Sequence, residues 1–169
     1  MHRFLQTVRG RTTVQTQGVK IVLSILLTST LLLVLAAVPG QAQTFTFTAV
    51  LTSGQEVPPN TSKALGVAFV TFNKDSGELC FSISYDEFNL TSPETVAHFH
   101  APARPGVNAP VIIPLPPGSP KNDCVTPDLT EDLRRALFQG LWYVNIHTEK
   151  HPDGEIRGQL VPQVAPVVR

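Results

Sequence analysis

Cysteine is scarce: the 169 residues contain only Cys80 and Cys124, and these do not form a Cys-x-x-Cys pair. A redox-active dithiol and a thiolate zinc site therefore have no support. Also missing are a Gly-x-Ser-x-Gly segment, a glycine-rich phosphate loop and a His-Glu-x-x-His helix, which leaves hydrolase and kinase chemistry without its usual machinery. There is no excess of basic charge, because 13 Lys and Arg balance 13 Asp and Glu. Four of the basic residues, Arg3, Arg9, Arg11 and Lys20, fall within the first 42 positions, where no acid occurs. The remainder carries nine basic residues (13 less those four) against 13 acidic ones, a net charge of −4, which argues against nucleic acid as a partner. No internal repeat is present, and residues 43 to 169 suffice for one domain with a modest core.

The basic leader precedes an apolar run from Ile21 to Val38, and Gly40-Gln41-Ala42 offers small residues at a cleavage position. Residues 1–42 are expected to be a secretory signal peptide, or, if uncleaved, an N-terminal membrane anchor. Either reading places the chain outside the cytoplasm: secreted, periplasmic or in the cell envelope. An oxidising compartment favours a Cys80–Cys124 disulfide over two separate thiols.

From Thr44 onward, short alternating or apolar pieces are divided by turn residues, the pattern of an antiparallel all-β domain. Phe45, Phe47, Ala49 and Leu51 share one face of a first strand. Leu65 to Phe72 and Glu78 to Tyr85 are expected to form a hairpin across Asn73-Lys74-Asp75-Ser76-Gly77. A strand is expected over Val96 to Ala101. Seven prolines between Pro102 and Pro120 restrict pairing there to a piece around Val111 to Leu115, the rest being loop. Thr130 is placed to cap one short helix, Glu131 to Phe138, with Gly140 as its stop. A last hairpin should pair Leu141 to Glu149 with Glu155 to Val161, leaving 162–169 as a flexible tail.

Chemistry concentrates in histidine. On a strand, His98 and His100 share a face about 6.5 to 7 Å apart, with Phe99 opposite. Tyr143, Asn145 and His147 likewise lie opposite Trp142, Val144 and Ile146. Three imidazoles from two strands suit one copper or zinc ion, and His151 in the following turn is a candidate fourth ligand. The alternative is hydrogen bonding alone, with Asn145, Thr148 and Glu155 as partners. Asn145, Glu155 and Arg157 are the residues placed to orient the imidazoles if metal binds, although Glu155 and Arg157, on one face of the last strand, are read first as a simple ion pair that stabilises the sheet. Asn60-Thr61-Ser62 and Asn89-Leu90-Thr91 fit the glycosylation sequon, which matters only in a host that glycosylates secreted proteins.

Gly54-Gln55-Glu56-Val57-Pro58-Pro59, Ala97-His98-Phe99-His100, Gly106-Val107-Asn108-Ala109-Pro110-Val111, Tyr143 to Thr148 and Gly154 to Leu160 occur in that order. Together they resemble the CHRD (chordin) domain over about residues 45 to 161, with Phe99 and Ala101 as departures from the usual aliphatic residue and glycine. The resemblance implies a secreted, immunoglobulin-like or superoxide-dismutase-like β-sandwich. It implies no activity, since chordin's growth-factor antagonism resides chiefly in other modules. The histidine segments also look like the copper-ligand strands of copper/zinc superoxide dismutase, but no histidine-rich zinc loop lies between them. Three functions are therefore in play. The first is a non-enzymatic binding module for a protein or glycan ligand, with a histidine metal site. The others are a mononuclear copper redox enzyme and a purely structural or adhesive surface protein.

Overall fold

A computed structural model describes residues 43–163; the leader expected over 1–42 and the last six residues lie outside the described residues. The strands are β1 (Thr44–Thr52), β2 (Leu65–Asn73), β3 (Leu79–Tyr85), β4 (Glu94–His100), β5 (Val111–Pro114), β6 (Lys121–Val125), β7 (Tyr143–Thr148), β8 (Ile156–Gln159) and β9 (Val161–Pro162). Helix α1 spans Glu131–Phe138. All pairings are antiparallel, and the order is β5-β4-β7-β8-β1-β2-β3-β6, with β9 also on β1. The all-β expectation holds. The strands form one continuous sheet that curls on itself, hinged where β8 meets β1 at the single pair Thr52↔Arg157.

Alternation builds the core. Phe47, Ala49 and Leu51 of β1, Ala68, Val70 and Phe72 of β2, and Leu79, Phe81 and Ile83 of β3 all point inward and are buried. They meet Phe99, Trp142, Val144 and Ile146 from the other half of the sheet, with the Phe81 and Phe99 rings 5.8 Å apart. Gly158 permits the close crossing at the hinge, since a Cβ there would stand 2.8 Å from the Val50 carbonyl oxygen. Helix α1 begins as its sequence dictates: Thr130 Oγ1 accepts from the Leu133 N–H at 3.3 Å, and Glu131 and Asp132 occupy the first turn. It buries Ala136 and Leu137, and Phe138 packs edge-on to Phe45 at 4.8 Å.

The structure adds a strand, β6, in a stretch where the sequence suggests no element. Lys121–Val125 pairs along β3, setting Cys80 opposite Cys124, and these form the disulfide. Lys121 is fully buried: its Nζ donates to Glu94 Oε1 at 2.6 Å and to the carbonyls of Pro116 and Gly118. Glu94 also accepts from Tyr85 and from the Gly118 N–H, so this charged cluster is closed on itself. The last strand is broken in two at Leu160, and Pro162 and Gln163, expected to begin the tail, instead pair with β1 at Phe47 and Thr46.

Candidate functional site

Strands β4 and β7 run side by side with His98↔Asn145 and Val96↔His147 in register, which places His98, His100 and His147 on one face. The register against β5 shifts between Phe99 and His100, the kind of irregularity that re-aims a side chain. The three rings converge: centroids lie 5.5 Å apart for His98 and His100, 5.1 Å for His98 and His147, and 6.2 Å for His100 and His147. One nitrogen from each falls within 4.8 Å of the others. His151 does not join them; its backbone closes the turn back to Thr148.

Backbone carbonyls fix two of the rings. His100 Nδ1 donates to the Ala109 carbonyl at 2.8 Å, and His147 Nδ1 donates to the Pro152 carbonyl at 2.8 Å. A carbonyl oxygen can only accept, so in the neutral imidazoles both Nε2 atoms keep a lone pair. His100 Nε2 is buried with no hydrogen-bond partner. His147 Nε2 lies 3.3 Å from His98 Nδ1 and 3.0 Å from the side-chain oxygen Oδ1 of Asn145. His98 is half-buried, and no backbone group anchors it among the contacts described.

Burial, first of all, holds all three imidazoles below their ordinary pKa of 6.5; mutual repulsion adds to this at His98 and His100. The site is therefore a cluster of neutral nitrogen donors. No carboxylate joins it within the same radius among the described residues.

Of the residues expected to orient the imidazoles, Asn145 does touch His147, whereas Glu155 and Arg157 hydrogen-bond neither each other nor any histidine. Glu155 is fully buried and accepts from Ser62 Oγ, the Thr91 N–H and Oγ1, and Thr148 Oγ1 at 2.5 to 2.9 Å. Burial alone would raise its pKa, but these bonds outweigh burial and hold it low. Its oxygens are consumed in tying three segments together. Arg157 instead donates to Asn108 Oδ1 and the Val107 carbonyl, and its guanidinium carbon lies 3.3 Å from the Tyr143 ring centroid. The Tyr143 ring stacks parallel to His100 at 4.7 Å.

The imidazole anchors come from loops to which no orienting role fell in the sequence. Ala109 belongs to Gly106 to Pro110, and its neighbour Asn108 also donates to the Val57 carbonyl. Pro152 belongs to a turn clasped from the other side, where Asn60 Nδ2 donates to the carbonyls of Gly154 and Glu155 and the Glu56 carboxyl lies against Gly154. Burial, opposed by Arg157, pushes the Glu56 pKa up to about 7. The family-like motifs were the available signal, but a backbone carbonyl leaves no mark in side-chain identity.

A family model, the CHRD domain, matches residues 47–160. No curated protein and no solved structure gives a significant match.

Proposed function

The chain belongs to the CHRD domain family, and from that premise we propose that it is a non-enzymatic binding module, exported to the cell envelope or beyond, that holds one copper or zinc ion at His98, His100 and His147. The observation that carries this reading is the unpartnered, buried Nε2 of His100. Leaving such an atom unmet costs about 1–3 kcal/mol. A ligand atom shared with two further lone-pair nitrogens accounts for its retention. Backbone carbonyls on Nδ1 fix tautomer and ring orientation, as outer partners of metal-bound histidines do. The Cys80–Cys124 disulfide suits an oxidising compartment, which supports export. A protein or glycan partner would engage the surface of the same module.

The test titrates the metal-free protein with copper and with zinc beside a His98→Ala, His100→Ala, His147→Ala variant, following stoichiometry and thermal unfolding. One tight equivalent is expected, lost in the variant. At a free metal concentration of about 1,000 times Kd, stabilisation should reach ~4 kcal/mol. No saturable binding by the native protein would make the histidines structural.

A further inference from the structure

Resting on that metal reading, we infer that the site is built for copper in its +1 state, and that Arg157 sets this preference by its charge. Three neutral imidazoles supply no negative charge, and no fourth side-chain donor of the His, Cys, Asp or Glu type joins them among the described residues. A three-histidine zinc site needs a water as its fourth ligand, whereas a d10 monovalent copper ion can rest on the three nitrogens alone.

The second observation is electrostatic. Arg157 is 1% exposed and forms no ion pair with any described carboxylate. Its guanidinium carbon is 3.3 Å from the Tyr143 centroid, and that ring lies 4.7 Å from the His100 ring, so guanidinium and imidazole lie within about 8 Å of each other, the two distances added. Neither of the nearest acids forms an ion pair with it, although the Glu56 carboxyl still interacts with its charge. Glu155 is consumed by Ser62, Thr91 and Thr148, while Glu56 lines the same cavity of about 360 Å3 as Arg157 without pairing to it. A fixed positive charge at about 10 Å, in an effective dielectric of about 20, penalises the divalent ion relative to the monovalent one by about tenfold.

The conversion between the two ions takes one electron from an external reductant such as ascorbate and moves no protein bond. The experiment measures Cu(I) affinity by competition with bathocuproine disulfonate and Cu(II) affinity by competition with nitrilotriacetate, both on the full chain at pH 8. The native protein should favour Cu(I). Arg157→Gln should lower the Cu(I)/Cu(II) affinity ratio about tenfold, a fall of about 59 mV in a one-electron potential. Arg157→Lys should recover most of it. Because burial of Arg157 makes its loss a risk to folding, Glu56→Gln provides the converse: removing the acid beside Arg157 should raise the ratio at least twofold. Equal affinity for the two ions, or a ratio that both charge changes leave untouched, overturns the inference while the metal site stands. Absence of saturable binding of either ion overturns the metal reading itself.

Discussion

Two kinds of buried polar cluster sit within this one sheet, and they are built on opposite principles. Around Lys121 and Glu94, and again around Glu155, the hydrogen-bonding capacity that burial strands is met: an ammonium by a carboxylate and two carbonyls, a carboxylate by four donors. Around His98, His100 and His147 the donors of two rings, His100 and His147, are pinned outward to carbonyls, while the inward-facing nitrogens have too few hydrogens to share. A saturated cluster stabilises the fold and has nothing left to offer a ligand. The histidine cluster has capacity to spare, and the surrounding loops maintain it.

The contrast can be broken most directly at Glu155. Glu155→Ala strands the donors of Ser62, Thr91 and Thr148 and should cost about 3 kcal/mol or more in urea unfolding, while the metal stoichiometry of the folded fraction stays the same. Lys121→Met leaves Glu94 buried without its cation and should cost about 3 kcal/mol, part of which Glu94→Gln in the same chain should restore. His98→Ala should behave in the opposite manner, costing about 1 kcal/mol or less in the metal-free protein yet abolishing tight metal binding. A cost equal to that of Glu155→Ala would place the histidines with the structural clusters.

The smallest effect is in pH. The imidazoles titrate below 6.5 in the fold, so as pH falls the unfolded chain takes up protons first. Their contribution is present above about 6.5 and is lost on acidification through the lowered folded values. Glu56 runs the other way: raised from 4.5 to about 7, its contribution is full below 4.5 and lost as pH rises through 7. Stability measured from pH 5 to 8 on Glu56→Gln should therefore show a steeper rise with pH than the native protein.

How much of this is legible in sequence depends on the physical range of each signal. Period-2 alternation is local, so β1 to β3, the His98-x-His100 pair and the His147 face can be read directly, and Thr130 announces α1 by its own cap. Lys121-Asn122-Asp123-Cys124-Val125 hides β6, because an edge strand with three exposed residues lacks the apolar alternation, and its one buried side chain is a lysine. The partner that makes that burial tolerable, Glu94, is 27 residues away. Strand parity sets Glu155 beside the histidines, while its bonds to Ser62 and Thr91 arise from loops that parity does not describe.

Asn60 gives the first of the two sequons in this chain a consequence for its manufacture. The side-chain nitrogen that a glycan would occupy is the one that holds the carbonyls of Gly154 and Glu155, next to the turn whose Pro152 anchors His147. A sugar could be attached only to the nascent chain, before that clasp closes, and once attached it would prop the clasp open. The choice of expression host is thus a choice about the site: a glycosylating secretory pathway would yield a secreted, disulfide-bonded protein with one imidazole adrift, and a bacterial periplasm would not.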